Sequence, residues 1–254
     1  MLSSSIHRKA QDSAALNDRI EINNQQSKRD LNQWIISLLS LKPTDIVLDL
    51  CCGRGAQTAV FALRAKKVYA ADISSESLSV INNLKLNNVE TVALDLNEFS
   101  STKQFPENFF DYIHCAYGLY YAQDAADIIQ QAYKLLKSDG MLIVVGPTDD
   151  NNRELFSLVE RVYPIDEYIV YTSRDFMNTL VLPAARKFYQ NVGKHYFENE
   201  ITYPDAESLY AYIKSSTMYQ PEYDEKLRLE ISKFFTTQKS LVVTKKVMAV
   251  LARK

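Results

Sequence analysis

Apolar positions follow a regular alternation of two periods through the first part of the chain. Leu31, Trp34, Ile35, Leu38 and Leu39 fall at helical spacing, an amphipathic stripe that Pro43 ends. From there short β-rich runs take over: "DIVLDL", "KVYAADI", "ETVALDL", "FDYIHCAYG" and "MLIVVG" read as strands. Helical segments lie between them. These are Ala56–Arg64, "SESLSVINNLKLNN" with Ser74 or Ser75 as N-cap, and "DAADIIQQAYKLLKSDG", closed by Gly140 in the C′ position. Strands and helices alternating at this spacing predict an open, mostly parallel sheet covered on both faces.

After Pro147 the rhythm changes. Helical stretches are expected at Arg153–Tyr163 and Ser173–Tyr189, a strand at Lys194–Tyr203, and helices at Asp205–Ser215 and Pro221–Thr236. The closing "SLVVTKKVMAVLARK" reads as a last strand. Residues 1–43 are expected to form an N-terminal helical lid and 44–150 the ligand-binding core. Residues 151–254 would then supply a substrate cap and the last two strands.

Composition narrows the function without choosing it. Hydrophobic residues make up 46% and charged residues 24% of the 254, ordinary for a globular protein. The net charge is −2 and no basic run is present, which disfavours nucleic acid as a partner. The longest apolar runs are far short of a membrane span, and "MLSSSIHRKAQDS" has no signal-peptide core. Three cysteines, two of them adjacent, suit neither a disulfide framework nor a metal site and fit a reducing compartment. The expectation is a cytoplasmic monomer or homodimer with no membrane partner and no metal.

The chemistry concentrates in "IVLDLCCGRGAQT". Gly53 and Gly55 follow a strand directly, and glycines there let the backbone turn sharply and a ligand approach closely. In an open parallel sheet, ligands bind beyond the carboxyl ends of the strands, where strand order reverses. A dinucleotide would want Gly-x-Gly-x-x-Gly, but Thr58 stands where the third glycine belongs. S-adenosylmethionine suits the loop better. Asp49, at the strand tip, would accept from its ammonium, and Asp72, ending the second strand, from both ribose hydroxyls. Asp95, ending the third, would accept from the adenine amine, with Ile73 and Leu96 packing the base. One aspartate after a strand is an ordinary turn former; three at one sheet edge form a pattern.

With these residues in place, the chain resembles the class I S-adenosylmethionine-dependent methyltransferases. "VLDLCCGRG" resembles their first motif, and "YAADIS", "ALDL" and "LLKSDGMLIVV" match later ones in order over about residues 44–146. The resemblance implies a Rossmann-like, doubly wound α/β fold with a mostly parallel seven-stranded sheet. It further implies a cofactor set of Asp49, Cys51, Gly53, Gly55, Asp72, Ile73, Asp95 and Leu96, with the backbone at Cys115 and Ala116 along the cofactor's carboxylate. Cys51 replaces the usual glycine, as in the ubiquinone and menaquinone C-methyltransferase branch, whose "FD…AFGL" segment is similar to "FDYIHCAYGL". That branch continues "GLRN", whereas this chain continues Gly118-Leu119-Tyr120-Tyr121. Quinone methylation is therefore not carried over, and the expected acceptor is a small metabolite methylated on O, N or C.

Methyl transfer needs placement and exclusion of water more than a catalytic triad. Tyr120 is the candidate facing the acceptor. His7, His114 and His195 read as structural, and Cys51 and Cys52 as packing residues. Tyrosines of the later half, Tyr163, Tyr168, Tyr171, Tyr210, Tyr212, Tyr219 and Tyr223, would either line a pocket for an aromatic or cationic molecule or simply pack. Two other readings stay open: a protein that binds the cofactor without transferring methyl, and a tRNA or protein methyltransferase.

Overall fold

The computed structural model describes residues 27–254. The greater part of the expected lid, with His7, lies outside the described residues. Seven strands form one sheet: β1 Ile46–Leu50, β2 Lys67–Asp72, β3 Val89–Ala93, β4 Phe110–Ala116, β5 Leu136–Pro147, β6 Asn191–Tyr203 and β7 Leu241–Arg253. Their order is β3-β2-β1-β4-β5-β7-β6. The first five run parallel and β7 runs antiparallel to β5. This is the Rossmann-like sheet expected from the pattern. Val47, Leu48 and Leu50 of β1 are all buried, as a parallel strand covered on both faces requires. Strand order reverses between β1 and β4, so the ends of β1, β2 and β4 open on one crevice.

Local signals set the helix starts. Helices α1 Leu31–Ser37, α2 Ala56–Ala62, α3 Ser75–Asn83 and α4 Ala125–Leu135 accompany the parallel strands. Ser74 caps α3 by accepting from the Ser77 N–H, and Asp124 caps α4 by accepting from the Asp127 N–H. Ile128, Ile129, Ala132 and Leu135 form the buried stripe of α4. Gly140 does not close that helix. Leu136 already pairs with Phe110 of β4, so the chain passes from helix straight into sheet. Asp139 takes the left-handed turn (φ 65°), and Gly140 lies within β5.

The later helices are α5 Arg153–Val159, α6 Glu167–Arg174, α7 Leu182–Phe188, α8 Ala206–Ser215 and α9 Asp224–Thr237. The single helix expected over Ser173–Tyr189 is broken: α6 ends at Arg174, and a π-helical turn, Met177–Val181, precedes α7. Among the described residues no helix is long and apolar enough to cross a membrane.

The chain divides into two compact units. One contains Leu31–Pro147, Asp175–Tyr196 and Val247–Lys254, and carries every candidate site residue. The other contains residues 27–30, Thr148–Arg174 and Phe197–Lys246, with its own core around Leu155, Phe156, Tyr203, Ile213, Leu227 and Ile231. Several of the tyrosines read as either pocket-lining or packing residues are built into this second core. Tyr163 is buried and donates to the Met218 carbonyl at 3.2 Å, and Tyr210 and Tyr219 both donate to Asp224.

Candidate functional site

β1 ends at Leu50 and the chain turns at once through Cys51–Gly55. Three of these five residues adopt left-handed backbone: Cys51 (φ 54°), Gly53 (φ 52°) and Gly55 (φ 84°). Glycine takes this conformation freely, whereas cysteine gives up about 1–2 kcal/mol to do so. The loop is held from β2. The Gly53 N–H donates to Asp72 Oδ2 at 2.8 Å, the Ser74 N–H to Asp72 Oδ1 at 2.9 Å, and the Cys52 N–H to the Ala71 carbonyl at 3.1 Å. Asp72 is half-buried, and each carboxylate oxygen keeps a further lone pair for a ligand hydroxyl.

Beyond β3, Asp95 caps a short 3-10 turn, Leu96–Glu98, and accepts from the backbone and side-chain nitrogens of Asn97. Ile73 is 51% exposed beside Asp72, whereas Leu96 is turned inward. At the tip of β4, Cys115 is buried and Ala116 half-buried. Gly118 then packs so closely on the loop that a Cβ there would lie 2.4 Å from the Cys51 Cβ. Tyr120 follows in a second 3-10 turn, Leu119–Tyr121, its ring edge-on to Tyr121 at 4.6 Å and to Phe176 at 6.0 Å. The structure thus brings the aspartates, the glycine loop and the β4 tip to one edge of the sheet.

Asp49 is the most deeply buried of the three aspartates. It is 1% exposed, its Oδ2 accepts from the Thr58 hydroxyl at 2.6 Å, and its Oδ1 faces His114 Nδ1 at 2.8 Å. Both carboxylate oxygens are thus engaged by protein partners. His114 belongs to this cluster, and neither it nor Thr58 was legible as a site residue. His195 is exposed on β6.

The electrostatics of the loop follow from these neighbours. A hydrogen bond with Cys115, and then burial, push the Cys51 thiol well above its usual range. Burial, followed by the charges of Asp49 and Asp72, pushes Cys52 up as well. Both are protonated at neutral pH and act as packing residues, not nucleophiles. A separate cavity of about 520 Å³ opens beside β2 and β3 between Tyr69, Glu90, Val92, Phe105 and Phe109, and holds none of the candidate residues.

Residues 48–144 match the family model described as a methyltransferase domain. A protein of Methanococcus maripaludis named "Probable cobalt-precorrin-6B C(15)-methyltransferase (decarboxylating)" is 37% identical over 71 residues, 28% of this chain and 39% of that protein. A ubiquinone/menaquinone biosynthesis C-methyltransferase of Teredinibacter turnerae is 27% identical over 199 residues, 75% of this chain and 74% of its own. The fold also matches phosphoethanolamine N-methyltransferase 2 of Haemonchus contortus, solved with phosphomonomethylethanolamine and S-adenosylhomocysteine. That likeness has a TM-score of 0.62 at 16% identity, over 100% of this chain and 60% of the other, and is one of fold.

Proposed function

We propose that the chain, whose residues 48–144 match a methyltransferase domain, is a class I S-adenosylmethionine-dependent methyltransferase acting on an oxygen, nitrogen or carbon of a small metabolite. The cofactor is S-adenosylmethionine. The residues present fit it: a left-handed glycine turn at the end of β1, and a half-buried Asp72 that braces the turn and keeps spare acceptor capacity. Bound there, the cofactor supplies a methyl group on a sulfonium, activated for in-line displacement.

The chain's own residues do the rest in this reading. Asp72 accepts from the ribose hydroxyls while bracing the loop. Asp95 accepts from the adenine amine, and Ile73 gives the base an apolar face. The backbone at Cys115 and Ala116 runs along the cofactor's carboxylate, and Tyr120 presents a hydroxyl to the acceptor. Catalysis is then placement, with water kept from the methyl.

The observation that carries the reading is the matched domain over Asp72, Asp95 and the Gly53–Gly55 turn at one sheet edge. Carbon methylation of a quinol ring is the second reading, favoured by the Teredinibacter turnerae relative's name and its coverage of 75% of this chain. Tyr120 and Tyr121, where that branch has Arg-Asn, weigh against it.

The test is calorimetric titration with S-adenosylmethionine and S-adenosylhomocysteine, then transfer of labelled methyl to amines, phenols, carboxylic acids and demethylated quinols. Transfer to one small-molecule class supports the proposal. Cofactor binding with label passing only to tRNA or protein overturns it.

A further inference from the structure

Asp49 and His114 are register partners on neighbouring parallel strands, and both side chains are at most 2% exposed. Thr58, in the first turn of α2, supplies the third member, so β1, β4 and α2 meet on one carboxylate. The far nitrogen of the imidazole fixes its state. His114 Nε2 is buried with no hydrogen-bond partner, and the Phe61 ring stands edge-on to the imidazole at 5.1 Å. A proton on Nε2 would be left without an acceptor, so the neutral tautomer with Nδ1–H donating to Asp49 is the one that satisfies the site.

The cluster therefore holds one net negative charge. Among the described residues neither lysine nor arginine pairs with Asp49. A buried carboxylate without a cation is costly, and folds keep one where something compensates it. This one sits at the end of β1, immediately before the Cys51–Gly55 turn, and its field reaches Cys52 within that turn. A cation bound on the turn would supply the missing charge.

We propose that His114 is a positioning residue of the cofactor site. With Thr58 it holds Asp49 as a fixed buried carboxylate under the glycine turn, and that charge favours the sulfonium cofactor over its neutral thioether product. The inference rests on the S-adenosylmethionine reading above. It assigns Asp49 an action through its field rather than by contact. The ammonium and carboxylate are common to cofactor and product, so the ratio of their affinities isolates the sulfonium charge.

The experiment is calorimetric titration of the full chain with S-adenosylmethionine and with S-adenosylhomocysteine, for the unaltered protein, Asp49→Asn, His114→Leu and His114→Asn, with a thermal melt of each. Asp49→Asn keeps the shape and removes the charge. It should weaken S-adenosylmethionine about tenfold more than S-adenosylhomocysteine. His114→Leu should move the ratio the same way, and His114→Asn, which retains an N–H near the Nδ1 position, should restore it to within about twofold. Equal weakening of both ligands, or an unchanged ratio, overturns the proposal and leaves the cofactor reading intact. Binding of neither ligand by the unaltered chain overturns both. If His114→Leu fails to fold, the ratio measured for Asp49→Asn decides.

Discussion

A methyl group added at Gly118 measures how tightly the cofactor turn is packed against the tip of β4. Alanine would place its Cβ 2.4 Å from the Cys51 Cβ, 2.7 Å from its Sγ and 3.3 Å from the Cys115 Sγ. Gly118 has an ordinary φ of −121°, so the substitution carries no torsional cost and the penalty is one of space. Carbon atoms in contact prefer about 3.5–4.0 Å, so Cys51 must withdraw by about 1 Å. It has little freedom to do so, being held by its left-handed backbone and its link to Cys115. Overpacking of this kind costs about 1–3 kcal/mol. Cys51→Gly removes both clashing atoms and relieves about 1–2 kcal/mol of backbone strain, against about 0.5–1 kcal/mol of glycine entropy. Alone it should change stability by no more than about 1.5 kcal/mol. Together the two substitutions should show a coupling of about 1–3 kcal/mol in a double-mutant cycle, read by equilibrium urea unfolding. Additive effects, within about 0.5 kcal/mol, would refute the packing argument.

Asp72→Ala removes the acceptor for the Gly53 and Ser74 N–H groups and, in the proposed reading, for the ribose, and should weaken cofactor binding by about 1–3 kcal/mol in calorimetry; an unchanged Kd would sink the ribose assignment. Tyr120→Phe should leave cofactor affinity intact while altering turnover, and identical kcat and KM would make Tyr120 a packing residue. Hydrogen bonds from the hydroxyls of Tyr210 and Tyr219, and then from the Arg228 guanidinium N–H, hold Asp224 at a pKa of about 2, below its ordinary 3.8. Its contribution is present above pH 3.8 and lost as pH falls from 3.8 toward 2, so Asp224→Asn should flatten Tm against pH in that window. Burial pushes Tyr163 up to about 12 from 10, so its contribution is present below pH 10 and lost between 10 and 12. Tyr163→Phe should remove that alkaline loss, and a Tm profile that still falls as steeply would count against it.

How much could be read in advance depended on whether the deciding forces were local. The parallel strands were legible because "IVLDL" and "MLIVV" are apolar but for Asp49, as burial on both faces requires. The Ser74 cap was legible for the same reason, since the hydrogen bond spans three residues. The Asp49–His114 pair was not. It joins residues 65 apart and exists only because β4 lies beside β1, a fact of topology rather than of pattern. Gly140 misled because a glycine after a helical run usually caps it, yet Leu136 had already joined β4. Helix α6, "EYIVYTSR", is rich in β-branched and aromatic residues with weak helix propensity. Ile169 and Ser173 pack inward from it and tertiary contact prevails.

The place of β7 in the sheet bears on how the chain is made. Seventh in sequence, it lies between β5 and β6 rather than at a border. Met248, Ala249, Val250 and Ala252 are all fully enclosed there. During synthesis the five parallel strands emerge first and wait, with the hydrogen-bonding edge of β5 open until the seventh arrives. An open edge invites pairing with other nascent chains. A chain cut before Leu241 would therefore expose the β5 edge that β7 covers and be prone to self-association.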